Sequence, residues 1–178
     1  MAEIRGFIAA TLDGYIASPD GSIDWLEEFG KLDYGYDAFI AQIDTVVIGR
    51  RTYDQILQLP RWPYAGKRGV IVTHRTVEDP PEMVELWSGD IAGLVARLRD
   101  PTAGDAWVIG GAELQQQFLE ADGLDRIEVH IIPLLLGDGI PLWPRISGSR
   151  RLTLKSATAM AGGMVRIEYS IHPATKSV

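Results

Sequence analysis

The chain contains no cysteine, which excludes disulfides, thiolate metal ligands and a cysteine nucleophile. Its three histidines, His74, His130 and His172, stand far apart without ligand spacing, so no metal site is expected. His130 falls within a strand-like run, where a satisfied core or crevice histidine is the simpler reading. No apolar run approaches the roughly 20 residues that cross a bilayer. The start, Met1-Ala2-Glu3-Ile4-Arg5-Gly6, lacks the charged-then-apolar pattern of a secretory signal. A cytoplasmic protein with no membrane partner is expected. Also missing are a G-x-x-x-x-G-K-[ST] phosphate loop, a G-x-S-x-G nucleophile elbow, an H-E-x-x-H metal site and a G-x-G-x-x-G fingerprint. A dinucleotide, if bound, is therefore not held in the Rossmann manner.

What is present is a chain of 178 residues, 46% hydrophobic, enough for one well-buried core and short for two. A single domain over residues 1–173 is expected, followed by a loose tail at 174–178. The net charge of −7 argues against a nucleic-acid partner, because phosphate contacts need a basic surface. That charge is unevenly spread. Residues 1–49 carry nine acids against Arg5 and Lys31, whereas residues 50–75 carry Arg50, Arg51, Arg61, Lys67, Arg68 and Arg75 against Asp54 alone. A cationic segment inside an acidic protein suits a small anionic ligand; the alternative, from charge alone, is a solvated basic edge.

The organising stretch begins at Asp44. Thr45 to Ile48 runs without a charge, stops at Gly49, and gives way to Tyr53, Ile56 and Leu57 at helical spacing. This reads as buried strand, tight turn and helix, with Arg50 and Arg51 at the helix start. A glycine there lets the backbone approach a ligand, and the first N–H groups of a helix favour an anion. A second unit repeats the design: strand Ala106 to Ile109, turn Gly110-Gly111, helix Ala112 to Glu120. Two such units point to one extended phosphate-bearing ligand across neighbouring strand ends, although such junctions are also simply how α/β domains turn corners.

Around these units, Ile4 to Leu12 reads as a central strand and Asp13 to Gly21 as a long loop after it. Tyr36, Phe39, Ile40 and Ile43 follow helical spacing. Gly69 to Thr73 and Val84 to Trp87 read as strands, and Asp90 can cap a helix over Ile91 to Arg99. Arg126 to Ile132 is strand-like, Pro133 to Pro144 an irregular excursion, and Leu152 to Thr158 and Val165 to Ile171 close the chain as a hairpin turning at Gly162-Gly163. Early helix–strand alternation with a late hairpin means a mostly parallel sheet carrying an antiparallel edge.

Asp13-Gly14-x-Ile16-Ala17, Asp24-Trp25, Val47-Ile48-Gly49-Arg50-x-Thr52-Tyr53, Val108-Ile109-Gly110-Gly111-Ala112 and Gly137-Asp138-Gly139, in that order, resemble the dihydrofolate reductase superfamily. The likeness is greatest to the reductase domain of the bacterial bifunctional riboflavin-biosynthesis deaminase-reductase. It implies a three-layer α/β/α dihydrofolate-reductase-like fold and NADPH as cofactor. Carried over by residue, Gly49, Arg50, Arg51 and Thr52, with Gly110, Gly111, Ala112 and Glu113 through backbone N–H groups, would hold phosphate. Ala10 and Ile16 would border the nicotinamide, and Thr73, His74 and Arg75 would meet the adenosine 2′-phosphate. Asp24, Asp33 and Asp37 are the candidates for a substrate-facing acid. The implied activity is reduction of a small pyrimidine or pteridine-like substrate, resembling 5-amino-6-(5-phosphoribosylamino)uracil reduction. The alternatives are dihydrofolate reduction, or nucleotide binding on this fold without hydride transfer. A homodimer formed through the sheets is expected from the same likeness, with Arg126 to Ile132 and Val165 to Ile171 as suitable strands, the alternative being that both are buried within one subunit.

Overall fold

The computed structural model describes residues 2–174; the expected tail beyond Ala174 lies outside the described residues. Six strands run parallel: β1 (Ile4–Thr11), β3 (Ile43–Gly49), β4 (Arg68–Val72), β5 (Val84–Trp87), β6 (Asp105–Gly110) and β7 (Arg126–Ile132). β9 (Leu152–Ala159) and β10 (Val165–Ile171) complete the sheet as an antiparallel hairpin. The order is β5-β4-β3-β6-β1-β7-β10-β9. The mostly parallel α/β architecture with a late hairpin is as the sequence implies. The strands read as near-continuous apolar runs because the parallel part is covered on both faces. Ile43, Val46, Val47 and Ile48 of β3 are all 0% exposed.

Right-handed crossovers decide which face each helix covers. The connections that move from β1 to β3 and from β3 to β4 put α1 (Tyr36–Ile40) and α2 (Arg50–Ile56) on one face. There Phe39 and Tyr53 pack with Phe7, Val46, Ile71 and Trp107. The opposite sense of travel, from β5 to β6 and from β6 to β7, puts α3 (Ile91–Leu98) and α4 (Ala112–Glu120) on the other face. There Leu94, Leu98, Leu114 and Phe118 pack with Ile4, Val47 and Val108. Asp90 caps α3, its Oδ1 accepting from the Gly93 N–H at 2.7 Å.

Two local readings change. Ile43 continues the helical spacing of Tyr36, Phe39 and Ile40 but is already the first residue of β3, because pairing with β6 at Asp105 claims it. The stretch after β1 is also less irregular than a loop. Tyr15–Ala17 forms β2, which pairs antiparallel with β8 (Ile140–Pro141) inside the Pro133 to Pro144 excursion. Asp13 ties the two segments together: its carboxylate accepts from Thr11 Oγ1 at 2.5 Å, Leu136 N–H at 3.2 Å and Gly137 N–H at 2.7 Å. These bonds, Thr11 first, hold the Asp13 carboxyl below its ordinary range. Gly139 is required here, since a Cβ on it would sit 2.3 Å from the Ala17 carbonyl oxygen. Neither half of this β2–β8 ribbon shows a strand pattern alone; each exists by pairing with the other.

The strands expected to carry a dimer contact lie inside the sheet: β7 is flanked by β1 and β10, and β10 by β9. The edge on that side is β9, whose Leu152 and Leu154 are about half exposed. This contrast gives a stability test. Phe118→Ala, at a 0% exposed position, should lower the unfolding free energy by about 3–5 kcal/mol in urea titrations. Leu154→Ala on the edge should stay within about 0.5 kcal/mol.

Candidate active-site cleft

β3 and β6 are neighbours, yet the helices that follow them leave to opposite faces of the sheet. Chain departing in both directions from adjacent strand ends opens a crevice at their carboxyl side, the usual place for a ligand in an open α/β sheet. The crevice is a cavity of about 920 Å³. It extends from the end of β4 to β7, four inter-strand steps, or about 19 Å at the usual strand spacing.

Its outer end is polar and cationic. Gly49 brings the end of β3 against β6 so closely that a Cβ would lie 3.3 Å from the Gly110 carbonyl oxygen. Gly110 has a φ of +127°, which side-chain-bearing residues rarely adopt, and the Gly110–Gly111 peptide is cis. Gly111 is the N-cap of α4 and supplies no side-chain cap, so the first N–H groups of that helix remain available. Arg50 is tethered: its Nε donates to Asp54 Oδ1 at 2.8 Å and its Nη1 to the Thr76 carbonyl at 2.9 Å. Arg51 and Arg75 form no ion pair among the described residues. Thr73 Oγ1 accepts from the Arg75 N–H at 3.1 Å and sets the turn that carries His74 and Arg75 to the rim.

The inner end is aromatic. Phe7, Tyr34, Tyr36, Trp107 and His130 form one wall, with Phe7 4.7 Å from His130, 6.1 Å from Trp107 and 6.2 Å from Tyr34, centroid to centroid. Burial pushes the Tyr34 and Tyr36 hydroxyls above their ordinary pKa, so both stay neutral donors. His130 is 2% exposed, and its Nε2 faces the Tyr34 carbonyl at 3.0 Å. Burial pushes its pKa below the ordinary value; the Arg166 charge acts the same way, while the Tyr34 carbonyl and the Ile8 backbone oppose it. The Glu128 carboxylate also lies 3.6 Å from Nε2. Nδ1 is buried and without a hydrogen-bond partner among the described residues.

Of the residues expected at a cofactor, Ile16, Gly49, Arg50, Arg51, Thr52, Thr73, His74, Arg75, Gly111, Ala112 and Glu113 all line this one cavity. Gly110 lies behind the lining and shapes the turn. Ala10 is 1% exposed and outside the lining, and its neighbour Ala9 lines it instead. Asp24, Asp33 and Asp37 are exposed and none lines the cavity. Asp33 accepts from the Gly35 N–H at 3.0 Å and shapes the turn before α1. The aromatic wall was not singled out from sequence. The one available signal was the alternation of Arg5, Phe7 and Ala9, masked because both faces of β1 are covered.

The neutral His130 makes stability depend on pH. Its contribution is fully present above the unfolded value of about 6.5 and is lost as pH falls through the lower folded value. Glu128, pushed up mainly by burial, acts in the opposite sense, so the effect is read as a difference between proteins. Between pH 7.5 and 5 the thermal midpoint of the wild type should fall further than that of His130→Gln. Parallel curves would refute a buried neutral histidine.

No helix among the described residues is long and apolar enough to cross a membrane, and no cluster there could hold a metal ion. Residues 2–166 match the RibD C-terminal domain family. The uncharacterized protein YwjB of Bacillus subtilis is 38% identical over 165 residues, covering 92% of this chain and 94% of that protein. The riboflavin biosynthesis protein RibD of Corynebacterium ammoniagenes is 28% identical over 85% of this chain but only 48% of its own length. A dihydrofolate reductase of Enterococcus faecalis complexed with NADP(H) shares the fold, with a TM-score of 0.68 at 15% identity over 96% of each chain. The chain thus belongs to the RibD C-terminal, reductase-like domain family.

Proposed function

We propose that this protein is an NADPH-dependent reductase of a small, flat pyrimidine- or pteridine-type substrate. The observation that carries the reading is the single cavity of about 920 Å³ with a cationic outer end and an aromatic inner end. Its size lies at the upper end of ligand sites, suitable for a dinucleotide with a small ring beside it. The residues at the outer end fit the cofactor. Uncapped N–H groups at the start of α4 face phosphate, Gly49 leaves room for backbone approach, and Arg51 and Arg75 supply charge not committed to a carboxylate. The Glu113 carboxylate also reaches the rim, so its contribution to phosphate would be through its backbone N–H.

When bound, NADPH supplies the hydride. The chain's own part is orientation and exclusion of water. Ile16 and Ala9 border the middle of the cavity, where the reacting rings would meet, and the Asp13 clamp holds the β2 segment over it. With Asp24, Asp33 and Asp37 outside the lining, a proton for the reduced ring would come through water. The reading includes a cytoplasmic protein and a homodimer, the latter supported by the half-exposed leucines of β9 and testable by light scattering.

Arg75→Ala should weaken NADPH binding by about tenfold or more, with a much smaller loss for NADH, because the lost contact is to the extra phosphate. Raising salt should narrow the wild-type preference for NADPH. Equal losses for both cofactors would move Arg75 to the shared pyrophosphate, and a wild type preferring NADH would overturn the cofactor assignment. Asn at positions 24, 33 and 37, singly, should leave turnover within about twofold, as expected for solvated carboxylates. NADPH binding measured by fluorescence quenching, without turnover of any pyrimidine or pteridine, would instead indicate a binding protein.

A further inference from the structure

The middle of the cavity is bordered by a ribbon that its own pairing holds poorly. Ile16 and Ala17 of β2 and Gly139, Ile140 and Pro141 of the β8 arm all line the cavity. The ladder between them joins only Tyr15 to Pro141 and Ala17 to Ile140, with an irregularity between the two pairs. Proline has no N–H to give to that ladder, and an isolated two-stranded ribbon is marginal in water even at greater length. The backbone bond from the Leu142 N–H to the Gly14 carbonyl, 2.9 Å, adds one link. The position of the ribbon therefore depends on tethers outside its ladder.

Those tethers run through two side chains, Thr11 and Asp13, neither of which lines the cavity. Thr11 is 1% exposed, and its hydroxyl accepts from the Tyr15 N–H at 3.0 Å while donating to Asp13 Oδ1 at 2.5 Å. The carboxylate extends the path: Oδ1 also accepts from the Leu136 N–H at 3.2 Å, and Oδ2 from the Gly137 N–H at 2.7 Å. One hydrogen-bonded route thus joins the start of β2 to the arm that enters β8. An ionised carboxylate that accepts from three protein donors has no proton to give, so its part is placement rather than proton transfer. None of Tyr15, Ile16, Ala17, Ile140 or Pro141 belongs to either core cluster, so breaking the route frees the ribbon without opening the core.

We infer that Thr11 and Asp13 act as a pair of positioning residues: the hydrogen bond they share fixes the β2–β8 ribbon where it shields the nicotinamide ring of bound NADPH from water. The inference rests on the cofactor reading above and deepens it by naming the side chains that hold the ribbon in place. A merely structural pair would lower global stability when broken. A positioning pair opens the ribbon locally and leaves the core intact.

The test uses the full chain with NADPH as the probe, and compares the wild type with Asp13→Asn, Thr11→Val, Thr11→Ser and the double variant carrying Thr11→Val and Asp13→Asn. Asp13→Asn and Thr11→Val should each leave the urea midpoint and NADPH affinity close to wild type, because the phosphate contacts lie at the outer end of the cavity. Acrylamide quenching of the bound nicotinamide's fluorescence should rise several-fold in both. Exchange of the Leu136 and Gly137 amide hydrogens should quicken by about tenfold, as expected for the loss of one hydrogen bond. The double variant should be no more open than the singles, since both changes break one route, and Thr11→Ser, which keeps the hydroxyl, should stay near wild type. Wild-type quenching and exchange in Asp13→Asn or Thr11→Val overturns the inference, as does a serine variant as open as the valine one, or a urea midpoint that falls in step with the quenching. If a variant fails to fold, exchange in the wild type decides: the Tyr15, Leu136 and Gly137 amides should open together and well before the core, and independent rates overturn the inference. A wild type that binds no NADPH sinks the cofactor reading, and the exchange rates then still decide whether the pair holds the ribbon. A wild type that binds NADPH with its ring already open to acrylamide sinks this inference alone.

Discussion

The close approach of β3 and β6 at Gly49 and Gly110 is the constraint on which the site depends. Only 3.3 Å would separate a Cβ on Gly49 from the Gly110 carbonyl oxygen, and Gly110 itself holds a φ of +127°. Without those glycines the two strand ends could not lie level with α2 and α4 starting beside them. Because the two helices then depart to opposite faces, the floor between them stays open. The cavity is thus a consequence of topology and right-handed crossovers, with two glycines setting how deep it runs.

The two ends of the cavity are made by different means. The outer end is local: strand end, glycine and helix start are contiguous in sequence, and the cations are within the next few residues. The inner end is assembled from afar. Phe7, Trp107 and His130 come from three strands and are held by the sheet register, and Tyr34, from the segment before α1, meets them through its carbonyl at His130 Nε2. The front is closed by the Asp13 clamp, which joins the loop after β1 to residues more than a hundred positions later.

These origins explain what sequence reasoning reached. The strand at Thr45 to Ile48, the helix Ala112 to Glu120 and the Asp90 cap were legible because periodicity and capping express contacts within a few residues. The cleft-lining positions Gly49, Arg50, Arg51 and Thr52 were legible for the same reason. Ala10 lies outside the cavity lining and Ala9 within it; on a strand buried on both faces hydrophobicity does not alternate, so the apolar run alone does not separate the two. The acids rest on the family likeness, and an exposed carboxylate on a turn has the same local signature as a buried one.

The sequence by itself determined the fold class, the two strand-glycine-helix units and the cationic segment, since each follows from local propensity, chain geometry and the order of residue types. The tertiary structure alone decided that both units open into one cavity, that its far end is aromatic, and that a buried histidine lies there. Those properties depend on which strands become neighbours and which face each residue takes. Both are settled by long-range pairing, and neither is written in any single stretch of the chain.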